Sequence, residues 1–170
     1  IMMYVAENLY KKRQDYTKYS LEDDQISHNP FVQFKYWFDH YQTLENPTSN
    51  GMILTTATKE GKPSSRTVLL KSYDEKGFVF FTNYRSRKAT HISENPYGAI
   101  LFSWLEFERE VRLEGTFEKL SQEASSEYFK TRPYESQIAA WTSEQSQTID
   151  SREQLLKKYE TLDSTYKGKE

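Results

Sequence analysis

The stretch from Arg66 to Lys88, RTVLLKSYDEKGFVFFTNYRSRK, restricts the folds open to this chain more than any other. Two strand-like runs flank a tight turn, Asp74-Glu75-Lys76-Gly77. The second run leads directly into a helix start at Asn83-Tyr84-Arg85-Ser86, with Ser86 as N-cap. A local hairpin of this kind belongs in an antiparallel sheet. Arg66 and Lys71 lie on the first strand, and Arg87 and Lys88 open the helix. Cations at the mouths of a hairpin and at a helix N-terminus suit a phosphate-bearing ligand. Backbone N–H groups and the helix dipole favour an anion there, and Arg and Lys add charge-assisted hydrogen bonds. Alternation along Ser64 to Tyr73 places Arg66 and Lys71 on opposite faces, which predicts two different anionic groups rather than one.

The rest of the chain supports a mainly β fold with flanking helices, of the α+β class. Residues 1–28 are polar with scattered Tyr and read as an arm, and 29–170 as one domain. Asn29-Pro30 starts a helix that carries Phe31, Phe34, Phe38 and Tyr41 as a core-facing stripe, flanked by Trp37, and ends near Leu44. Asn46 to Gly51 is a turn region. Strands follow at Met52–Thr58, Ser64–Tyr73, Phe78–Thr82, Tyr97–Leu105 and Arg109–Leu120, with the Ser86 helix ending at Asn95-Pro96. Hairpins at this spacing suggest a small closed barrel. The remainder is helical. Ser121 caps a helix that stops at Arg132-Pro133, a second helix holds Ser136 to Trp141, and Asp150 or Ser151 caps a last one, with a polar loop at Gln145-Ser146-Gln147 between them.

The chemistry is bounded by what is missing as well as by what is present. Cysteine is absent, so there is no disulfide, thiolate nucleophile or cysteine-held metal. A net charge of −2 argues against bulk electrostatic binding to nucleic acid or an anionic membrane, while leaving room for a local basic pocket. Apolar runs are too short to span a bilayer and no signal peptide is visible, so a cytoplasmic protein is expected. His28, His40 and His91 do not stand at metal-ligand spacing with carboxylates. There is no Walker loop, Gly-x-Ser-x-Gly elbow or Gly-x-Gly-x-x-Gly turn. Aromatic residues make up 15% of the chain; core filling accounts for most of them, but aromatics also line pockets for flat ligands. A phosphorylated cofactor with a flat ring fits both signals. A second group, Tyr128, Arg132 and Ser136, places two hydroxyls and a guanidinium at a helix end and its next turn.

Taken together, RTVLLK, FFTNYRSRKA, VRLEG, YFKTRPYESQIAAW and SEQSQTI resemble the pyridoxamine/pyridoxine 5′-phosphate oxidase family, in order and spacing, from about Arg13 to Tyr159. The resemblance implies an FMN-binding split β-barrel, antiparallel and Greek-key-like, acting as a homodimer with two FMN sites at the subunit interface. It implies oxidation of pyridoxine or pyridoxamine 5′-phosphate to pyridoxal 5′-phosphate, with O2 as acceptor and H2O2 as product. Arg66, Thr67, Val68, Leu69, Phe81 and Thr82 match the strands that hold FMN. Arg87 and Lys88 match the clamp on its phosphate, and Gln145 and Ser146 match flavin contacts from the other side. Lys71, Tyr128, Arg132 and Ser136 match the grip on the substrate phosphate, and Arg13 and Tyr16 match an arm that folds over the substrate. Glu110 stands where the family carries a flavin-contacting Gln, and its charge would disfavour reduced flavin. Ala139 replaces a family Gly. The family's closing tryptophan–glycine–glycine strand and Arg-x-His segment lie beyond Glu170, so no catalytic residue is assignable within this chain. Two other readings stand beside the oxidase: a non-catalytic module that binds FMN or pyridoxal phosphate, and another split-barrel flavin reductase.

Overall fold

The computed structural model describes residues 9–13, 15–44 and 48–169. The first eight residues of the expected arm, Asn46 and Pro47 of the expected turn, and Glu170 lie outside them.

Helix α1, Pro30–Gln42, begins where the sequence places it. The Asn29 side chain accepts hydrogen bonds from the N–H groups of Phe31 (2.8 Å) and Val32 (3.3 Å), satisfying two of the donors a helix start leaves free. The helix buries Phe34 and Tyr41 against a sheet. Phe34 is the centre of that packing, with ring contacts to Phe38, Tyr73, Phe78, Phe102 and Trp104. Burial of one such side chain contributes roughly 1.5–3 kcal/mol.

The sheet has four antiparallel strands in the order β2-β1-β5-β6: β1 Gly51–Ala57, β2 Pro63–Leu69, β5 Tyr97–Trp104 and β6 Arg109–Thr116. A separate two-stranded ribbon is formed by β3 Ser72–Asp74 and β4 Gly77–Val79. Met52, Leu54, Ile100, Phe102 and Trp104 face the core from alternate positions of β1 and β5.

Three strand expectations are corrected. The run Ser64–Tyr73 is not one strand. The Leu70 N–H still bonds the Asn50 carbonyl in the β1 register, but the Lys71 N–H turns away to the Val79 carbonyl, each at 2.8 Å, and the strand ends there. Pairing of β4 stops at Val79, short of Thr82. β6 ends at Thr116 rather than Leu120: the Phe117 N–H still bonds the Pro96 carbonyl in the β5–β6 register, but proline has no N–H to return the bond. The closed barrel is replaced by an open four-stranded sheet with a separate ribbon.

One close approach fixes the spacing of β1 and β5. A Cβ on Gly98 would lie 2.6 Å from the Thr55 carbonyl oxygen and inside the Phe117 ring. Gly98→Ala is therefore expected to cost about 2 kcal/mol, a fall of about 4–8 °C in Tm by calorimetry. An unchanged Tm would mean that the strand separation adjusts freely.

The remaining helices are α2 Arg87–Glu94, α3 Gln122–Lys130, α4 Tyr134–Thr142 and α5 Arg152–Tyr166. Ser121 caps α3 by accepting from the Ala124 N–H, and Ser151 caps α5 by accepting from the Gln154 N–H. Tyr134 donates from its hydroxyl to the Asp163 carbonyl, tying α4 to α5. Residues 9–28 are largely exposed and include a 3-10 turn at Asp23–Gln25. They are fixed to the β5–β6 connection, where Lys18 donates from its backbone N–H to Glu108 Oε2 (2.9 Å) and from Nζ to the Glu106 carbonyl (3.2 Å). Tyr19 packs on Phe107 and His40, and the Arg109 guanidinium lies over the Tyr19 and Trp37 rings. Among the described residues, no helix is long and apolar enough to cross a membrane.

Candidate anion-binding site

The site forms where α2 meets the β1–β2 pair. Thr56 and Ser64 are register partners on those strands. Arg87, at the first position of α2, donates from Nη2 to Ser64 Oγ (2.8 Å). Arg66 donates from Nη1 to Thr56 Oγ1 (2.8 Å) and to the Leu54 carbonyl (3.1 Å). Lys88 turns the other way and donates from Nζ to Gln145 Oε1 (2.7 Å), Thr82 Oγ1 (3.1 Å) and Ser86 Oγ (3.4 Å).

The electrostatics of this arrangement are unfavourable as they stand. Lys88 is only 8% exposed. Burial first, and the charge of Arg66 second, hold its ammonium below the usual lysine value. Burial first, and then Arg87, lower Arg66 as well. Among the described residues, no carboxylate pairs with any of the three. A buried cation without a counter-charge is costly, and three in mutual range more so. Ser86 is fully buried as the N-cap of α2, yet its side chain caps no N–H, so the first-turn donors of the helix remain available. The arrangement suits one bound anion with several oxygens.

The loop after α4 closes over this cluster. Besides the Gln145 contact, Glu144 pairs with Arg85 at 2.8 Å and Gln147 Nε2 donates to the Arg85 carbonyl. Ser146, with φ 70°, holds the turn in a left-handed conformation. Gln145 thus meets the Lys88 side of the site within a single chain, and Ser146 sits beside it exposed.

Phe81 and Lys71 meet at Tyr128, while Arg132 and Ser136 follow at the end of α3 and the start of α4, with no side-chain hydrogen bond, ion pair or ring contact to them among the described residues. The Tyr128 ring stacks on Phe81 with centroids 3.6 Å apart and planes within 6°, and Lys71 Nζ lies 5.8 Å from the Tyr128 centroid. Phe81 is the immediate neighbour of Thr82, so the two groups adjoin. Arg132 lies just past the end of α3, half-buried, with its guanidinium 5.9 Å from the Phe129 ring. Ser136 is half-buried in the first turn of α4. Neither Arg132 nor Lys71 is paired with a carboxylate among the described residues. Because the chain breaks between β2 and β3, the separation of Arg66 from Lys71 follows from that bend, not from strand alternation.

Other predicted positions sit differently. Thr67 and Leu69 are exposed and Val68 half-buried on β2, an edge strand of the sheet. Glu110 is exposed on the sheet face opposite the core, with Oε1 3.6 Å from Arg112 Nε. Arg13 and Tyr16 are exposed, and no hydrogen bond, ion pair or ring contact joins them to Lys71, Tyr128, Arg132 or Ser136 among the described residues. Sequence reasoning missed Thr56 and His91. Thr56 is 1% exposed, and its Oγ1 lies 3.2 Å from His91 Nδ1.

Comparison with known proteins gives the family. Residues 39–166 match the family model described as pyridoxamine 5′-phosphate oxidase. A pyridoxine/pyridoxamine 5′-phosphate oxidase of Nostoc punctiforme is 48% identical over 158 residues, covering 93% of this chain and 74% of the relative. Among solved structures, PhzG of Burkholderia lata, bound to tetrahydrophenazine-1-carboxylic acid, superposes with a TM-score of 0.79 at 24% identity, covering 86% of this chain and 73% of that one. A pyridoxamine 5′-phosphate oxidase-related, FMN binding protein of Nostoc punctiforme gives a TM-score of 0.58 at 17% identity, covering 77% and 73%. These two structures share the split-barrel fold with this chain. With a family model over most of its length and a relative 48% identical across 93% of this chain, the chain belongs to the pyridoxamine 5′-phosphate oxidase family.

Proposed function

We propose that the chain binds FMN and oxidises pyridoxine or pyridoxamine 5′-phosphate to pyridoxal 5′-phosphate. The observation that carries this reading is the cluster at the start of α2, where buried Lys88, half-buried Arg66 and exposed Arg87 stand without a counter-charge among the described residues. It is fitted to the FMN phosphate, and it adjoins a second phosphate grip made of Lys71, Tyr128, Arg132 and Ser136. FMN supplies a two-electron acceptor that O2 regenerates. The substrate would give up a hydride from C4′ and a proton from the hydroxyl or amine on it, the two electrons and two protons ending in H2O2; with the amine, water completes the aldehyde and ammonia leaves.

The residues of the chain bind and orient. Arg87, Lys88 and the N–H groups opening α2 hold one phosphate, while Arg66 approaches it from β2. The exposed edge of β2 at Thr67, Val68 and Leu69 supports the isoalloxazine, with Phe81, Thr82, Gln145 and Ser146 beside it. Glu110 contributes from the outer sheet face. Lys71, Arg132 and the hydroxyls of Tyr128 and Ser136 fix the second phosphate, so that the two ring systems lie in reacting geometry. Arg13 and Tyr16 close over the substrate from the arm, residues 1–28, and residues 29–170 form the domain beneath. The working unit is a homodimer in the cytoplasm. The Lys71–Arg132 group favours a small phosphate ester over a dinucleotide, which sets this reading above a flavin reductase.

The test is optical. The purified chain is loaded with FMN, freed of excess, and mixed with pyridoxine 5′-phosphate without oxygen. Bleaching of the bound yellow flavin, and its recovery with H2O2 on admitting air, is the expected result. Flavin that stays yellow reduces the protein to a binding module, and a colourless protein removes the flavin reading altogether.

A further inference from the structure

We propose that Thr56 and His91 are positioning residues that decide which edge of the Arg66 guanidinium faces the bound phosphate. The proposal rests on the FMN reading above and adds a buried brace behind it. A guanidinium has five N–H donors, two of them on Nη1. Arg66 commits Nη1 to the Leu54 carbonyl (3.1 Å) and to Thr56 Oγ1 (2.8 Å). The Nε–H and Nη2 donors remain, and together they form the side-on fork that matches two oxygens of a phosphate.

Thr56 holds that choice in place. It is 1% exposed, so its hydroxyl has no water to turn to. Its oxygen already accepts from Arg66, so the proposed brace assigns its single hydrogen to His91 Nδ1, 3.2 Å away. The imidazole then carries its own proton on Nε2. His91 is itself buried, at 8% exposure, and sits one turn after Arg87 on α2. The same helix therefore supplies a ligand to the phosphate and, four residues on, the end of a brace that runs through β1 to β2. Without the brace Nη1 keeps only the Leu54 carbonyl. Repulsion from Arg87, which acts on Arg66, is then free to rotate the guanidinium out of register.

The experiment titrates the full chain with FMN and, separately, with riboflavin, following quenching of flavin fluorescence. The ratio of the riboflavin Kd to the FMN Kd isolates what the phosphate contributes. In the unmodified protein the ratio should be large, and a value near one removes the reading on which this rests, and the brace with it. Thr56→Val keeps the shape and deletes the hydroxyl. It should lower the ratio about three- to tenfold, the scale of one net hydrogen bond, with the riboflavin Kd unchanged. His91→Leu should act in the same direction, and His91→Asn, which restores a polar atom near the Nδ1 position, should recover most of the loss. In an Arg66→Ala background, Thr56→Val should cause no further fall. Equal weakening of both flavins by Thr56→Val would show a merely structural role. A fall that persists without Arg66 would show that Thr56 acts by another route. Either result overturns the proposal.

Discussion

Replacement of Lys88 by Met is expected to make the ligand-free protein more heat-stable while removing most of its affinity for FMN. The two effects have opposite signs because Lys88 is poorly matched to the empty site. Its ammonium is buried, faces Arg66, and finds only the neutral oxygens of Gln145, Thr82 and Ser86. A methionine of similar length removes the desolvated charge and fills the space, so Tm of the ligand-free protein should rise by a few degrees. Bound phosphate reverses the balance. Loss of a charge-assisted hydrogen bond to it should weaken FMN about 30-fold, roughly 2 kcal/mol. The same group predicts a pH dependence. Burial first and Arg66 second hold Lys88 below its ordinary value of 10.5, so the folded ligand-free protein binds this proton more weakly than the unfolded chain does. Its destabilising contribution is complete below the lowered folded value. It is relieved as pH rises from there toward 10.5, and the ligand-free protein gains stability across that alkaline window. FMN affinity falls over the same window as the ammonium is lost. Thermal unfolding against pH, with and without FMN, reads both trends, and both should vanish in Lys88→Met. A variant that unfolds earlier yet binds FMN normally would show that the ammonium serves the fold alone.

Arg132→Ala should separate the two anionic sites. Arg132 stands past the end of α3, half-buried against Phe129 and unpaired with any carboxylate among the described residues. Its backbone is held independently, because its carbonyl accepts from Gln137 Nε2 at 2.9 Å. Truncation therefore removes the guanidinium with little disturbance of the helix connection. If it grips the substrate phosphate with Lys71, affinity for pyridoxine 5′-phosphate should fall about 100-fold, near the upper range for a bond between charged groups. FMN affinity should not change. Isothermal titration with each ligand measures both. A variant that loses FMN and keeps the phosphate ester would exchange the roles of the two groups.

The legible parts of this fold are those written within a few residues. Asn29, Ser121 and Ser151 announce their helices because each cap bonds an N–H two or three positions ahead. The Asp74–Gly77 turn is legible for the same reason, since Asp74 Oδ1 accepts from Lys76 and Gly77. Strand ends were misjudged because they are decided at a distance. β2 ends after Asn50, twenty positions before Leu70, has bonded both the N–H and the carbonyl of Leu70, and the Lys71 N–H leaves for the Val79 carbonyl of the separate ribbon. The site divides likewise. Arg87 and Lys88 are visible at a helix start, whereas the Gln145 contact spans 57 positions and the Thr56–His91 contact 35. One Thr of the Thr55-Thr56 pair in an otherwise apolar strand and a His in a short helix carry no local mark of a shared hydrogen bond. The motif resemblance reached Gln145 and Ser146 but not Thr56 or His91, whose contribution is made behind Arg66.

The docking of Lys18 and Tyr19 on the β5–β6 connection turns the preceding residues into a short leash. An extended chain spans about 3.3–3.6 Å per residue. Tyr16 can therefore stray about 10 Å from Tyr19, and Arg13 about 20 Å. Whatever these side chains touch, they meet it at an effective concentration in the millimolar range or above. An arm so confined needs little intrinsic affinity to close on whatever lies within that reach, and it can open again without moving beyond it.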